Sequence, residues 1–173
     1  MIQIDKNAAI NADKWLNTSI DQQAKQEIIS LRENNVNEFN DAFYRTLEFG
    51  TGGLRGIMGI GTNRMNKYIV AMTTQGFCNY IAENNQGKQI KTVISYDSRN
   101  NSREFAKITA RVMAANGFKV YLFEDIRPTP ELSFAVRELK ADAGVMLTAS
   151  HNPKEYNGYK AYWNDGAQLT SPH

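Results

Sequence analysis

The chain has one cysteine among its 173 residues, so it cannot form an internal disulfide or a cysteine-rich metal cluster. That residue, Cys78, stands among apolar neighbours in an apparent helix, which predicts buried packing. The net charge is also small, because twenty Lys and Arg against eighteen Asp and Glu leave a formal charge of +2 at pH 7. This balance argues against binding nucleic acid by bulk electrostatics, so we expect any anion site to be local.

Long apolar runs are missing as well. No segment approaches the roughly 20 apolar residues of a membrane span, and the opening MIQIDKNAAI lacks the basic and apolar stretches of a secretory signal. We therefore expect a cytoplasmic protein with no membrane association. A content of 42% hydrophobic and 22% charged residues is typical of one ordinary domain with some additional chain.

The first 47 residues are rich in Asn, Gln, Asp and Glu, and they carry apolar residues at helical spacing, namely Ile20, Ala24, Ile28 and Leu31. This pattern predicts a helical N-terminal arm over residues 1–47. A second helix is predicted from Glu38 to Leu47, where Phe39, Phe43 and Leu47 fall on one face. Docking of this face onto the core is favoured over a role of the helix in binding a partner.

A second region, residues 48–173, begins in the glycine-rich segment FGTGGLRG (Phe49–Gly56), which breaks the helical pattern. Strands and helices then alternate in a β-α-β-α-β order that predicts a parallel α/β sheet. The predicted elements are a helix over Tyr68–Ile81, strand Thr92–Tyr96, helix Ser102–Asn116, strand Lys119–Phe123, helix Pro130–Lys140 and strand Ala143–Thr148. Asn101 with Glu104 predicts a capping box, and Thr129 before Pro130 predicts an N-cap.

A polar loop, TASHNP (Thr148–Pro153), follows the apolar strand at 143–147. In open α/β sheets, ligands bind at the carboxyl ends of the strands. The downstream NGYK (Asn157–Lys160) returns a cation towards this loop, and right-handed crossovers place Asp97-Ser98-Arg99 at the same edge. These features predict a chemical site around Ser150 and His151.

Three interpretations of the Ser-His pair are open from the residues alone. A serine hydrolase is disfavoured, because adjacent residues point apart and the G-x-S-x-G turn is absent. A second interpretation gives the serine hydroxyl a purely structural role in the loop, beside a histidine whose hydrogen bonds are satisfied within the fold. A phosphate-carrying serine is the third, and it predicts converging cations, for which the candidates are Arg55, Arg99, His151 and Lys160.

The three motifs FGTGGLRG, TASHNP and NGYK, which follow one another in this order along the chain, resemble those of the α-D-phosphohexomutase superfamily, in its phosphoglucomutase and phosphomannomutase branch. The resemblance covers Leu47 to His173 and corresponds to the first domain of that family. It implies a three-layer α/β/α domain with a mainly parallel mixed sheet, preceded here by the helical arm. The arm looks more like that of the longer phosphoglucomutases, including those related to phosphopentomutases.

The resemblance implies that phospho-Ser150 gives its phosphoryl group to a hexose monophosphate and takes one back from the bisphosphate, so that hexose 1-phosphate and hexose 6-phosphate interconvert. It implies glucose 1,6-bisphosphate as activator. Arg55, Lys160 and His151 would act on the phosphate or on proton transfer, and Thr51, Gly52 and Asn152 would join Arg55 and Lys160 in binding substrate. Asp97 and Arg99 would contact the site residues rather than the substrate itself.

The resemblance also implies one Mg²⁺ ion, held mostly by a D-x-D-x-D-R loop that this chain lacks, so phospho-Ser150 is its one expected ligand here. The chain stops at Ser171-Pro172-His173, which is consistent with a truncated protein whose partners are the remaining domains of the same parent chain. We expect the isolated fragment to lack turnover. A phosphopentomutase and a noncatalytic sugar phosphate-binding domain are the alternatives.

Overall fold

The computed structural model describes residues 3–170, so the chain end at 171–173 lies outside the described residues. Within that span the chain forms six helices and five strands. The helices are α1 (Lys6–Leu16), α2 (Gln22–Asn34), α3 (Val36–Phe43), α4 (Lys67–Asn84), α5 (Ser102–Ala115) and α6 (Thr129–Glu138). The strands are β1 (Gly53–Ile57), β2 (Lys91–Tyr96), β3 (Lys119–Leu122), β4 (Ala143–Leu147) and β5 (Tyr156–Trp163).

The five strands form one mixed sheet in the order β1-β5-β4-β2-β3. Strands β4, β2 and β3 run parallel, while β5 pairs antiparallel with both β4 and β1. One buried cluster packs α4 and α5 on one face, and a smaller cluster, which includes Leu132 and Val136 of α6, covers the other. The predicted α/β class with three layers and a mixed sheet is therefore confirmed.

The arm helices share the larger buried cluster with the sheet. Trp15 of α1 packs edge-on against Phe43 of α3 and Tyr68 of α4, with ring centroids 6.0 and 5.5 Å away. Phe39 and Phe43 are fully buried, as the predicted apolar face requires. The boundary at residue 47 stays a prediction, since arm and sheet form a continuous core.

The predicted helix Glu38–Leu47 is wrong at its C-terminal end. Helix α3 stops at Phe43, and the backbone N–H of Leu47 donates to the carbonyl oxygen of Thr62 at 2.8 Å. The Leu47 side chain instead lies against Gly56 of β1. Its apolar character therefore reflects packing against a strand rather than a further helical turn.

Both predicted helix caps are also wrong. Asn101 precedes α5 in a left-handed conformation (φ 64°) and its side chain makes no capping hydrogen bond. Helix α6 begins at Thr129 itself, preceded by Pro128, and it too has no side-chain cap. The first residue of α5 instead bonds to the residue that follows β2, because the Ser102 hydroxyl donates to Asp97 at 2.7 Å.

Strand β1 forms within the segment whose glycines predict a break. A Cβ at Gly53 would lie 2.2 Å from the carbonyl oxygen of Tyr159, so only glycine permits this approach of β1 to β5. The pairing sets Arg55 opposite Gly158 and Gly53 opposite Lys160. Among the helices of residues 3–170, none is long and apolar enough to cross a membrane.

Candidate functional site

Ser150 lies in the loop that follows β4, with its side chain exposed to solvent. Its backbone is left-handed (φ 57°), which is uncommon for a residue with a side chain. The Ser150 N–H donates to the Thr148 hydroxyl at 2.9 Å, and the Asn152 N–H donates to the Ala149 carbonyl at 3.1 Å. The tight turn thus presents the Ser150 hydroxyl outward from the sheet edge.

Lys160 of β5 reaches this hydroxyl. Because β5 runs antiparallel to β4, with Lys160 opposite Met146, the Lys160 amine emerges beside the end of β4. Its Nζ donates to the Ser150 Oγ at 2.6 Å. Partial burial lowers the pKa of Lys160, the positive charge of Arg55 lowers it further, and Asp97 opposes the shift. The site therefore favours proton release from this lysine.

Arg55 approaches the same loop from β1. Its Nη1 donates to the Asn152 Oδ1 at 2.6 Å. Beside it opens a cleft of about 230 Å³, lined by Thr51, Gly53, Leu54, Arg55, Thr148, Lys160 and Gln168. Two cations at one cleft, with exposed hydroxyls alongside, form an environment that suits a phosphate group.

Arg99 anchors the Ser150 loop by hydrogen bonds to its backbone. Its guanidinium donates to four backbone carbonyls, those of Ser150 (3.0 Å), Asn152 (2.7 Å), Pro153 (2.8 Å) and Tyr156 (3.1 Å). The side chain is only 14% exposed, and its Nε lies 3.4 Å from a carboxylate oxygen of Asp97. A planar fork with several donors suits this role in a way that a single ammonium does not.

Asp97 is engaged through both of its carboxylate oxygens. Oδ1 accepts from the Arg99 N–H and the Ser102 hydroxyl, and Oδ2 accepts from the Thr148 hydroxyl at 2.6 Å. The fully buried Asn157 extends the network, since its Nδ2 donates to the Ser102 hydroxyl and the Asn100 carbonyl, each at 2.9 Å. Asp97 and Arg99 thus contact the Ser150 loop and each other, and the supporting role predicted for them stays a prediction.

The remaining predicted site residues divide into two groups. Thr51 lines the cleft, and Gly52 (φ 72°) shapes the turn before β1. His151 is exposed beside Ser150, and its side chain makes no hydrogen bond within residues 3–170, so the role predicted for it stays a prediction. Sequence reasoning assigned no role to Asn157, although it begins the NGYK motif, or to Gln168, which carries no local signal.

The described residues contribute little to a metal site. In residues 3–170 there is no group of three or more His, Cys, Asp or Glu side chains that could hold an ion. The carboxylate of Asp97 already accepts hydrogen bonds on both oxygens. A phosphate on Ser150 would add oxygen ligands of the kind that Mg²⁺ prefers, so this part of the chain fits one ligand of such an ion.

Comparison with known proteins adds to this geometry. A family model described as "Phosphoglucomutase/phosphomannomutase, alpha/beta/alpha domain I" matches residues 46–173. The chain belongs to this family. The match confirms the expected membership of the α-D-phosphohexomutase superfamily and the assignment to its first domain.

Relatives within the family carry three different names. A phosphopentomutase of Homo sapiens is 46% identical over 167 residues, covering 92% of this chain and 27% of its own length. A phosphoglucomutase of Staphylococcus epidermidis is 50% identical over 134 residues, covering 78% of this chain and 24% of its own. A glucose 1,6-bisphosphate synthase of Mus musculus is 44% identical over 168 residues, with coverages of 92% and 27%.

A family structure supports the fold. A crystal structure described as that of a phosphomannomutase from Thermus thermophilus superposes with a TM-score of 0.67 at 33% identity, covering 73% of this chain and 28% of that one. The chain thus spans about a quarter of the length of the relatives it matches. Its family is that of the phosphoglucomutases and phosphomannomutases.

Proposed function

We propose that this chain is the phosphoserine-bearing domain of a mutase that interconverts hexose 1-phosphate and hexose 6-phosphate, with Ser150 as the phosphoryl carrier. The observation that carries the proposal is the 2.6 Å contact from Lys160 to the Ser150 hydroxyl. It places a proton-exchanging amine directly on the oxygen that would gain and lose phosphate. A structural loop hydroxyl has no need of such an amine.

The proposed phosphoryl transfer needs as reactants only phospho-Ser150, the sugar monophosphate and water. The bond from the phosphorus of phospho-Ser150 to Oγ breaks, and a new bond forms from phosphorus to a hydroxyl oxygen of the sugar monophosphate. The sugar hydroxyl releases its proton to solvent, Lys160 donates a proton to the Ser150 Oγ, and Lys160 regains a proton from solvent. In the reverse direction Lys160 takes the proton from Oγ, which its lowered pKa favours.

Arg55 supplies positive charge for binding a phosphate of the substrate in the cleft. Its guanidinium would turn from Asn152 to the phosphate oxygens, because a charged acceptor makes a stronger hydrogen bond than an amide oxygen. Thr51 would add a polar contact in the same cleft and Asn152 one beside Arg55, while Gly52 would contribute through the turn that leads into β1. His151 is exposed beside Ser150, where it can meet a bound sugar phosphate.

A Mg²⁺ ion bound to the phosphate of Ser150 would neutralise charge on the transferring group. In this chain only that phosphate would bind the ion, and other parts of the parent protein would complete the site. Glucose 1,6-bisphosphate would act as activator by placing a phosphoryl group on Ser150. We propose on the same grounds that residues 1–173 alone do not turn over sugar phosphates.

A phosphopentomutase is a second candidate, favoured by one specific observation. The human phosphopentomutase is 46% identical over 92% of this chain, whereas a phosphoglucomutase of Staphylococcus haemolyticus is 42% identical over a similar 91%. A domain that binds sugar phosphate without catalysis is the further alternative. The intact set of Ser150, Lys160 and Arg55 supports catalysis over that reading.

The deciding experiment is a coupled assay of the complete parent protein with Mg²⁺ and catalytic glucose 1,6-bisphosphate. Glucose 1-phosphate, mannose 1-phosphate and ribose 1-phosphate are compared as substrates of the wild type and the Ser150→Ala variant. Ser19→Ala, at an exposed serine of the arm, is the matched control. We expect turnover that Ser150→Ala abolishes and Ser19→Ala preserves.

Each other result has a defined meaning. Fastest turnover of ribose 1-phosphate would replace the hexose proposal with the pentose one. Binding of a sugar phosphate by the folded wild type without turnover of any would establish a binding domain. Full activity in Ser150→Ala would refute Ser150 as the phosphoryl carrier.

A further inference from the structure

Gln168 is drawn into the cleft by a fold-back of the chain after β5. The chain reverses at Gly166 (φ 77°), the Trp163 N–H donates to the Ala167 carbonyl at 3.0 Å, and the Leu169 N–H donates to the Ala161 carbonyl at 2.8 Å. Gln168 therefore returns alongside β5 and lines the same cleft as Arg55 and Lys160. Neither the motifs nor the proposed chemistry assigns it a role.

The side chain of Gln168 lies directly against Gly52. Its Nε2 donates to the Gly52 carbonyl at 3.1 Å, and the same carbonyl accepts from the Ala161 N–H at 3.0 Å. A Cβ at Gly52 would come within 2.5 to 2.8 Å of three Gln168 side-chain atoms. The glutamine thus occupies the space that the glycine leaves open, over a turn whose φ of +72° is itself costly for other residues.

This turn leads into the strand that carries Arg55. Gly52 precedes Gly53, where β1 begins, and Arg55 is exposed two residues further on. Since Arg55 is exposed, its direction depends on how firmly the start of β1 is held. Gln168 and the Ala161 N–H together fix that start against β5.

We propose that Gln168 is a positioning residue, which holds the Thr51–Gly52 turn so that Arg55 presents its guanidinium to a phosphate in the cleft. The inference rests on the proposed function of the cleft, and it deepens that function. Gln168 acts through the Gly52 carbonyl and not by touching the sugar phosphate.

The variants are chosen to separate shape from hydrogen bonding. Gln168→Met keeps nearly the length and volume of the side chain and removes the donor to Gly52. Gln26→Met makes the same chemical change at an exposed position in the middle of α2, where Met and Gln have similar helix propensity, and serves as the control.

The first measurement is amide hydrogen exchange of this chain, followed residue by residue. We expect exchange over residues 50–55 to quicken about tenfold in Gln168→Met, with exchange in α4 and β4 unchanged and no effect of Gln26→Met. Unchanged exchange over residues 50–55 would overturn the proposal. Faster exchange throughout the chain would also overturn it, because that result describes a general loss of stability.

The second measurement is steady-state kinetics of the complete parent protein. A phosphate-binding arginine that is no longer held should weaken substrate binding, so we expect KM for the sugar phosphate to rise about tenfold in Gln168→Met while kcat changes less than about threefold. A merely structural role would reduce the active fraction and lower kcat at constant KM. A raised KM without faster exchange over residues 50–55 would mean direct contact with substrate, and would refute positioning.

The two proposals fail in different ways. If the wild type parent turns over no sugar phosphate, the proposed function fails, and exchange of this chain still decides whether Gln168 holds the turn. A third comparison tests the contact itself, because Gly52→Ala clashes with Gln168 while the pair Gly52→Ala with Gln168→Ala does not. We expect the double variant to unfold at a higher temperature than Gly52→Ala alone, and an equal or lower temperature would contradict the contact.

Discussion

Lys160 donates a 2.6 Å hydrogen bond to the hydroxyl of Ser150, although ten residues and a reversal of chain direction separate them. The antiparallel pairing of β4 and β5 makes this contact. The electrostatic neighbours of Lys160 then decide how readily it exchanges protons. Burial and Arg55 lower its pKa, and Asp97 raises it.

Removing the charge of Arg55 should raise the pKa of Lys160. We expect Arg55→Gln to shift the titration of the Lys160 ¹³Cε resonance to higher pH, with the resonance assigned by its loss in Lys160→Met. Arg111→Gln, at an exposed position of α5, should leave it in place. An unshifted Lys160 titration in Arg55→Gln would show that burial alone lowers this pKa.

Lys160 should also impose a pH dependence on stability. Its pKa is lowered on folding, so between that lowered value and the ordinary 10.5 the unfolded chain binds more protons than the folded one. The free energy of unfolding of the wild type should therefore rise with pH across this window relative to Lys160→Met. Urea unfolding of both proteins at stepped pH measures the difference, and a falling difference would contradict the lowered pKa.

The backbone at Ser150 predicts an unusual ranking of substitutions. At φ 57° alanine is disfavoured relative to glycine by about 1 kcal/mol. We expect Ser150→Gly to be more stable than Ser150→Ala in thermal unfolding, although both lose the hydroxyl. The same pair of substitutions at Ser19, in the arm, is the comparison for a position without that backbone constraint. If alanine were the more stable at Ser150, the left-handed conformation would not persist in solution.

Arg99 should not be replaceable by lysine. One ammonium cannot serve four carbonyls at once, so we expect Arg99→Lys to lower the free energy of unfolding by about 1–3 kcal/mol. Hydrogen exchange should quicken over residues 150–156. Arg103→Lys, at an exposed position of α5, provides the control and should change neither quantity. Equal stability of Arg99→Lys and wild type would show that these bonds are dispensable.

Asp21 should tie the arm to the sheet region in a pH-dependent way. Its carboxylate accepts from Lys67 and Tyr68, and these bonds, led by that of Lys67, hold its pKa below the ordinary 3.8. Since the folded pKa is depressed, the stabilisation is present above about 4 and disappears as pH falls further. Asn still caps α2, so Asp21→Asn should lower the melting temperature at pH 7 and approach wild type in acid.

The control for this comparison is Glu33→Gln, which removes an exposed charge elsewhere on α2. Its melting temperature should follow that of the wild type across the same pH range. A pH-independent gap for Asp21→Asn would point to packing rather than to the ion pair.

The parallel part of the sheet was predictable from the sequence, because its signals are local. Strand β2, helix α5 and strand β4 match their predicted spans to within about a residue, since apolar runs and helical stripes are set by neighbours in the chain. The strand identity of β1 was not predictable in this way. Strand β1 is stabilised by pairing with β5. Its glycine at position 53 is there because the two backbones lie too close for a Cβ, and not because the chain forms a loop.

The candidate site shows the same limit. Motifs pointed to Ser150, Lys160 and Arg55, and the structure sets these three around one loop. The carbonyl contacts of Arg99 and the place of Gln168 depend on where distant backbone lies, which no spacing in the sequence reveals. His151 was expected to position the phosphate or assist proton transfer, and that role stays a prediction, because its exposed side chain makes no hydrogen bond within residues 3–170.

The pairing of β1 with β5 also governs when the site can form during folding. Arg55 and Asn152 are 97 residues apart in the chain, and Gln168 and Gly52 are 116 apart. Closing loops of this length carries an entropy cost that local helices do not have, and topologies rich in such contacts fold slowly. On a ribosome the arm and the parallel strands can assemble first, and the cleft beside Arg55 and Lys160 should form only after β5 and the fold-back have left the exit tunnel.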